Sequence, residues 1–215
     1  GGGFGRKPHY PLTIEKYILA QSQKKSPNIC FVPTASAEDP NYIVNFYTAF
    51  SRLSCNPTHL SLFKRTPNLK SFINKHDIFY IGGGNTKSML AVWKEWKLDQ
   101  LLLKAYQKGA ILCGVSAGAI CWFQQGITDS WASQLNLIEC LGMLPGCCCP
   151  HYDTESQRST HVKTLLEKNI IDSCYSIEDG VALHFKQETL HTAIEFEKNK
   201  NAYIVENKNQ TINKN

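Results

Sequence analysis

Three short apolar runs constrain the fold of this chain more than any other feature. They cover residues 29–32, 78–81 and 111–115, and each is followed by small or turn-forming residues and then by a helical pattern. A fully apolar strand is typical of a parallel sheet, and parallel strands need long crossover connections between them. The pattern therefore predicts an α/β fold of three layers, with a mostly parallel sheet covered by helices on both faces.

The C-terminal third has a different pattern. Short strand candidates at 181–185, 192–196 and 203–205 alternate with turns, and Asn199-Lys200-Asn201 suits a hairpin turn. We expect antiparallel strands to be added to the main sheet here. The polar tail at 207–215 is expected to fray. The length of 215 residues, without a repeat or a linker, predicts one domain over 1–215.

Composition excludes several functional classes. Hydrophobic residues make up 42% of the chain and charged residues 19%, which excludes overall disorder. The net charge of +5 is mild and lies in no dense basic stripe, so we expect no nucleic-acid partner. No apolar run approaches the roughly 18 residues that a membrane-spanning helix needs, so no membrane partner is expected. A homodimer stays an open alternative.

The cysteines argue against a metal site. Nine are present, and Cys147, Cys148 and Cys149 are consecutive. No Cys-x-x-Cys pair occurs, and three adjacent thiolates converge poorly on a tetrahedral zinc ion. We therefore expect neither a metal nor another cofactor. Reduced thiols are typical of the cytoplasm, which is the predicted location.

The segment Gly114-Val115-Ser116-Ala117-Gly118 is the sharpest chemical motif. It lies where an apolar strand candidate meets an apolar helical run, which is the context of a nucleophile elbow. In such an elbow a serine stands on a tight strand-to-helix turn, and small neighbours avoid a clash. A glycine-rich turn with an N-capping serine is the alternative interpretation. The strand–turn–helix context favours Ser116 as a nucleophile.

A serine nucleophile needs a base, and the base needs a carboxylate that orients it. Of the seven histidines, His151 is the best candidate because it follows Pro150 and opens a polar loop. Asp129 and Asp179 both lie in loops and could orient the imidazole, and sequence separation does not decide between them. Asp153 is so near His151 in sequence that it is expected to cap the next helix instead.

An acyl-transfer site also needs N–H donors for the oxyanion. The Ala117 N–H follows the serine directly, and a second donor could come from Gly82-Gly83-Gly84, which follows another strand. A phosphate-binding loop is the rival interpretation of this triglycine. It fails because Thr86 stands where the P-loop pattern requires a glycine before Lys87.

Five motifs occur in a fixed order along the chain. They are Gly1-Gly2-Gly3-Phe4, Phe31-Val32-Pro33-Thr34-Ala35-Ser36, Ile81-Gly82-Gly83-Gly84-Asn85-Thr86, Gly114-Val115-Ser116-Ala117-Gly118-Ala119 and Pro150-His151-Tyr152. Together they resemble the peptidase E family of serine peptidases, the aspartyl dipeptidases, which is related to cyanophycinase. The resemblance covers nearly the whole chain. It implies a class I glutamine amidotransferase-like fold and hydrolysis of dipeptides or short peptides without a metal.

The resemblance also implies roles for single residues. Ser116 matches the family nucleophile and His151 matches its base. Asp129 matches a carboxylate assigned to the triad, whereas Asp179 matches an acidic residue offered as the alternative third member. The sequence thus leaves two candidates for the acid.

The oxyanion donors and the substrate site follow from the same resemblance. Gly83 or Gly84, together with Ala117, would supply the oxyanion N–H groups. The family holds an acidic substrate side chain with the first arginine of a Thr-Arg-Glu-Gln-Arg-like stretch after the histidine. Here Glu155 stands at that position and Arg158 at the last one, and both are candidate substrate-binding residues. Helical spacing leaves a solvated face as the alternative position for Arg158. A carboxylate at the first position would repel an acidic side chain, so aspartyl specificity is not expected to carry over.

Two alternatives come from other classes of protein. An α/β-hydrolase esterase would use Ser116, Asp179 and His191, in the order that this fold requires. A non-catalytic binding protein of the same fold would fit solvent-facing cysteines at 147–149 and the altered loop around Glu155.

Overall fold

A computed structural model of the chain describes residues 2–4, 11–131, 134–208 and 211–214. The chain forms two compact units. The first spans Gly3–Ala119, and the second runs from Ile120 onward and includes Gly2. The expectation of a single domain over residues 1–215 stays a prediction.

The described residues form helices and strands that alternate through most of the first unit, whereas strands follow one another directly in much of the second. The helices are α1 (Thr13–Ala20), α2 (Pro40–Phe50), α3 (Leu69–Ile73), α4 (Thr86–Trp96), α5 (Leu98–Gln107), α6 (Ala117–Ile120) and α7 (Gln157–Glu167). The strands are β1 (Asn28–Val32), β2 (Asn56–His59), β3 (Ile78–Ile81), β4 (Ile111–Gly114), β5 (Phe123–Thr128), β6 (Asn136–Glu139), β7 (Leu144–Cys149), β8 (Ser173–Ile177), β9 (Val181–Lys186), β10 (Thr189–Glu195), β11 (Ala202–Lys208) and β12 (Thr211–Lys214).

The first unit contains a parallel sheet in the order β2-β1-β3-β4. The three apolar runs form β1, β3 and β4, which confirms those predictions. Strands β1 and β3 are buried along nearly their whole length, as a parallel sheet interior requires. Strand β2 lacks an apolar run, because its residues Asn56–His59 lie at the edge of the sheet and are only partly buried.

Side-chain caps fix where two helices of the first unit begin. Asp39 caps α2 by accepting the Tyr42 N–H at 2.8 Å, and Pro40 occupies the first helical turn, where a missing N–H costs nothing. Asn85 caps α4 by accepting the Ser88 N–H at 2.8 Å. Both helices therefore start directly behind loops at the carboxyl end of the sheet.

An aromatic cluster forms much of the core of the first unit. Phe31 stacks on Phe46 with ring centroids 4.9 Å apart, and Phe4 contacts both rings at 5.6 and 5.7 Å. Tyr42 packs edge-on against Phe31 at 5.0 Å. Such contacts hold α2 against β1 and restrict the orientation of the Tyr42 ring.

The second unit contains a mixed sheet in the order β12-β11-β8-β7-β5-β6. Strands β5, β7 and β8 are parallel, whereas β6, β11 and β12 pair antiparallel with their neighbours. Strands β9 and β10 form a separate antiparallel pair. The predicted class is confirmed: the chain is mixed α/β, with a parallel sheet and antiparallel strands toward its C-terminus.

Two details of the C-terminal prediction need correction. Asn199-Lys200-Asn201 does not form a hairpin, because β10 pairs with β9 whereas β11 pairs with β8 and β12. The hairpin turn is at Gln187 and Glu188, whose φ angles of 48° and 66° suit a tight antiparallel turn. The tail, which was expected to fray, contributes β12 at residues 211–214; residues 209, 210 and 215 lie outside the described residues.

The consecutive cysteines are buried, so the expectation that they face solvent is wrong. Cys147, Cys148 and Cys149 end strand β7 and are at most 1% exposed. Burial raises the pKa of the Cys149 thiol to about 12, which makes it a poor nucleophile. These residues pack as small apolar side chains in the core of the second unit.

Among the described residues, no helix is long and apolar enough to cross a bilayer.

Candidate active site

Ser116 lies on a tight turn between β4 and α6, two residues after the strand and one before the helix. Its φ angle is 55°, a left-handed conformation that is uncommon for a residue other than glycine. Hydrogen bonds close the turn, since the Gly118 N–H donates to the Val115 carbonyl and the Ala119 N–H to the Ser116 carbonyl, both at 2.9 Å. The backbone thus holds Ser116 at the carboxyl end of the sheet.

The two glycines of the motif are needed because backbone atoms crowd around them. A Cβ atom at Gly114 would lie 2.3 Å from the Gly118 carbonyl oxygen. A Cβ atom at Gly118 would lie 2.3 Å from the Ile81 carbonyl oxygen. Neither contact is possible without moving the backbone, so the Gly-x-Ser-x-Gly spacing encodes the close approach of β3, β4 and α6.

Gly83 lies beside Ser116 in the first unit. It follows β3 by two residues, as Ser116 follows β4, and these strands are parallel neighbours. A Cβ atom at Gly83 would lie 3.2 Å from the Ser116 Cβ, and the Gly83 N–H donates to the Tyr42 hydroxyl at 3.4 Å. Gly84 has a φ of 137° and approaches the Ala35 backbone so closely that a Cβ atom would clash. Gly83 is therefore nearer to the serine side chain than Gly84.

His151 and Asp179 form a buried hydrogen-bonded pair in the second unit. The His151 Nδ1 and the Asp179 Oδ1 are 2.8 Å apart, and the two side chains are 8% and 12% exposed. His151 follows β7 by two residues, and Asp179 follows β8 by two. Strands β7 and β8 are parallel neighbours, so their carboxyl ends bring the two loops together.

A network of polar contacts holds Asp179 in place. The Thr154 hydroxyl donates to the second carboxylate oxygen, Oδ2, at 3.3 Å. The Asp179 N–H donates to Asp153 Oδ1 at 2.9 Å, and Asp153 Oδ2 accepts from the Lys200 ammonium group. The expectation that Asp153 caps the next helix is therefore wrong. Its carboxylate instead joins the loop after β7 to the loop after β8.

The hydrogen bond to His151 favours an ionised Asp179. Burial by itself raises the pKa of the Asp179 carboxyl group, but the contacts of the carboxylate outweigh burial and keep the pKa well below its ordinary range. The hydrogen bond from His151 is the largest of these contacts. An anionic carboxylate at Nδ1 fixes the tautomer of the imidazole, so that Nε2 is the nitrogen able to accept a proton.

Two other sequence candidates lie at exposed positions. Asp129 follows β5 directly, and the carboxylate at His151 Nδ1 is that of Asp179 and not that of Asp129. His191 lies exposed on β10, where its Nε2 is 3.1 Å from the Lys186 ammonium group. The esterase alternative would need His191 as its base, yet the carboxylate it would use, Asp179, is bonded to His151.

Arg158 is buried and not on a solvated face, so that alternative position is wrong. Only 2% of it is exposed. Its Nε donates to Glu155 Oε2 at 2.7 Å, and Nη1 donates to the Ile127 carbonyl at 3.0 Å. The Glu155 side chain is 44% exposed. Arg158 therefore joins α7 to β5, and Glu155 is the member of the pair that solvent or a ligand can reach.

Sequence reasoning missed three residues around these groups: Tyr42, Thr154 and Lys200, whose ammonium group contacts Asp153. The Thr154 hydroxyl lies only three residues after His151, which could have drawn attention to it. Tyr42 and Lys200 are distant in sequence from the residues they contact, and no local pattern indicated them.

Within the described ranges, no three His, Cys, Asp or Glu side chains lie close enough together to hold a metal ion.

Comparisons with known proteins show that this chain is similar to peptidases. The family model described as Peptidase family S51 matches residues 1–193. Uncharacterized peptidase YgaJ of Bacillus subtilis (strain 168) is 46% identical over 206 residues, which cover 95% of this chain and 89% of that protein.

Two crystal structures show the same fold. A peptidase from an acI-B1 actinobacterium has a TM-score of 0.67 at 18% identity and covers 95% of this chain and 85% of its own. A candidate peptidase E protein from Listeria monocytogenes EGD-e has a TM-score of 0.65 at 19% identity, with coverage of 85% and 93%. The family match and the relative together establish that this chain is a peptidase that belongs to family S51.

Proposed function

We propose that this peptidase is a serine exopeptidase that hydrolyses dipeptides or short peptides. The observation that carries the proposal is the buried hydrogen bond of 2.8 Å between His151 and Asp179. A serine hydroxyl becomes a nucleophile when a correctly oriented base removes its proton, and a buried carboxylate at Nδ1 is what orients such a base. The left-handed turn at Ser116 supports its role, because it has the form of a nucleophile elbow.

The chemistry assigns one step to each group. The Ser116 Oγ attacks the scissile carbonyl carbon while its proton passes to His151 Nε2, and Asp179 stays ionised and stabilises the imidazolium. The N–H groups of Gly83 and Ala117 receive the oxyanion. The imidazolium then protonates the leaving amine, and water hydrolyses the acyl-enzyme by the same proton route. Gly83 is preferred to Gly84 because of its contact with Ser116.

The loop after His151 supports peptide substrates whose first residue is not acidic. Arg158 is buried and engaged by Glu155 and the Ile127 carbonyl, so it is poorly suited to receive a substrate carboxylate. Glu155 is half exposed and negatively charged, and it would repel such a group. We propose peptides with a neutral or basic first residue. The nine free cysteines support action in a reducing compartment such as the cytoplasm.

Substitution of Ser116 and His151 tests the mechanism. We expect Ser116→Ala and His151→Ala each to lower kcat by about 10³–10⁶, and the double variant to lose little more than either alone, because residues that act as a unit are not additive. Hydrolysis of a dipeptide panel measures kcat, and a fluorophosphonate probe reports the reactive serine. Thermal unfolding checks that the variants are folded. Turnover that is unchanged in Ser116→Ala would end the proposal.

The substrate class has its own test. A panel of dipeptides with aspartyl, leucyl and lysyl first residues should give the lowest kcat/KM for the aspartyl peptide. Replacing Glu155 by Gln removes its charge and should raise the relative rate for that peptide by about 2–10-fold, as expected for a half-exposed charge. A preference for aspartyl peptides in the unmodified enzyme would refute this substrate class and leave the catalytic residues untouched.

A further inference from the structure

We propose that the Tyr42 hydroxyl is a further catalytic group, which donates a hydrogen bond to the oxyanion beside the Gly83 N–H. This inference rests on the proposed function, since it takes Ser116 as the nucleophile. Neither the motif order nor the Gly-x-Ser-x-Gly pattern points to Tyr42, because the residue lies on α2, far from both in sequence.

The geometry around Gly83 brings the tyrosine and the serine to one place. The Gly83 N–H points to the Tyr42 hydroxyl oxygen, with 3.4 Å between nitrogen and oxygen. A Cβ atom at Gly83 would also be 3.2 Å from the Ser116 Cβ and 3.9 Å from its Oγ. The nucleophile and the phenol therefore both lie near Gly83, within the same compact unit of the chain.

The separation of the two groups allows one oxygen that lies beside them to accept from both. At 3.4 Å the contact from the Gly83 N–H to the Tyr42 oxygen is long for an N–H···O hydrogen bond. Two donors at that separation can both lie about 2.9 Å from a single oxygen, which is the distance that oxyanion donors need. An anion is a stronger acceptor than a neutral group, so the newly formed oxyanion can draw the single phenol O–H toward itself.

Packing holds the Tyr42 ring in position before a substrate arrives. Its ring centroid is 5.0 Å from that of Phe31 and 5.4 Å from that of Phe4. A Cβ atom at Gly82 would be 3.1 Å from the ring carbon Cε1, so the triglycine loop leaves space for the ring. Asp39 fixes the start of α2 through the Tyr42 N–H itself. Such preorganisation is what makes an oxyanion donor effective.

The step requires no co-reactant. As the Ser116 oxygen bonds to the carbonyl carbon, the carbonyl π pair moves onto the carbonyl oxygen, and the serine proton passes to His151. Tyr42 keeps its proton and only shares it in a hydrogen bond with the oxyanion. When the intermediate collapses, the pair returns to the carbon–oxygen bond and the amine leaves with the proton from His151.

The test compares Tyr42→Phe with Tyr47→Phe on the same helix. The first change removes only the hydroxyl and keeps the packed ring. The second removes a hydroxyl that is bonded to His59 at 2.8 Å and serves as the matched control. We expect Tyr42→Phe to lower kcat by about 10²-fold with KM changed less than about threefold, since the oxyanion exists only in the transition state. The rate of fluorophosphonate labelling should fall in parallel.

The outcomes separate this inference from the proposed function. A Tyr42→Phe variant that is folded and retains kcat within about twofold, while Ser116→Ala is inactive, overturns the role of Tyr42 alone. A change in KM with constant kcat overturns it as well, because it indicates ground-state binding. An active Ser116→Ala variant removes the proposed function and this inference together. Loss of kcat in Tyr42→Phe, with Tyr47→Phe unchanged, supports it.

Discussion

The turn at Ser116 and the loops that carry His151 and Asp179 are built on the same plan but fixed by different forces. In the first unit, Gly83 and Ser116 each follow one of two parallel neighbouring strands by two residues. In the second unit, His151 and Asp179 follow their own parallel strands by the same interval. In each unit, the residues proposed to act in catalysis follow the carboxyl ends of neighbouring parallel strands, which is where α/β proteins build their sites.

The difference lies in what holds each pair. At Ser116 the backbone itself is crowded, and glycine is the residue that the space around positions 114 and 118 allows. At His151 and Asp179 the loops are held by hydrogen bonds that side chains make: the Thr154 hydroxyl donates to the Asp179 carboxylate, and the Asp153 carboxylate accepts the Asp179 N–H. A site fixed by backbone packing should fail by misfolding, whereas a site fixed by side-chain hydrogen bonds should fail by losing activity while staying folded.

The largest expected effect comes from Asp179, the carboxylate beside the proposed base. Asp179→Asn should lower kcat by about 10⁴-fold, because an amide cannot hold the imidazole in the required tautomer or stabilise its protonated form. Asp129→Asn is the matched control at an exposed position and should stay within about twofold of the unmodified enzyme. Steady-state hydrolysis of one neutral dipeptide measures both. A large loss in Asp129→Asn with little in Asp179→Asn would reverse the assignment of the acid.

In the turn at Ser116, substitution is expected to lower the stability of the fold. Gly118→Ala places a Cβ atom 2.3 Å from the Ile81 carbonyl oxygen, so β3 or α6 must move, and we expect unfolding to become easier by about 4 kcal/mol or more. Gly109→Ala is the control, because its site has a φ of 97° but no atom within 4 Å, so it bears only the conformational strain of about 1 kcal/mol. Urea unfolding compares them. Equal stability losses would contradict the role of crowding.

The smallest effect is expected at the residue that positions Asp179. Thr154→Val removes the donor to Asp179 Oδ2 and keeps the shape of the side chain, so kcat/KM should fall by about 3–10-fold, the equivalent of one modest hydrogen bond. The loss should lie in kcat, with KM changed less than about twofold, because Thr154 acts through Asp179 and His151. Thr154→Ser keeps the hydroxyl and should restore kcat/KM. A change in KM alone, or no change at all, would leave Thr154 with a structural role only.

Sequence reasoning located the first region well because its determinants are local. The apolar run 111–115, the glycines at 114 and 118 and the serine between them are adjacent in the chain, and each has one physical reason to be there. It located His151 for a similar reason, as a loop residue after a strand. It left Asp129 and Asp179 undecided because strand β8, Ser173–Ile177, mixes polar and apolar residues and was not recognised as the parallel neighbour of β7.

Residues at 147–149 and 158 illustrate the same limit. Solvent-facing cysteines belonged to the non-catalytic alternative, and a solvated face was one of two positions considered for Arg158, yet all four residues are buried. Burial of Arg158 depends on Glu155 and on the Ile127 carbonyl of another strand, which no local pattern reveals. A charged side chain can be buried when partners satisfy it, and those partners are supplied by the fold.

The amino-acid order by itself determined the α/β class, the strand–turn–helix at Ser116 and the histidine after Pro150, because periodicity and backbone sterics act over neighbouring residues. The tertiary structure decided which carboxylate meets His151, which tyrosine approaches Gly83 and where Arg158 is buried. Those choices depend on strand order and on contacts between residues about 30 to 40 positions apart in the chain. Such contacts stabilise the protein only after the sheets have formed and have brought the residues together.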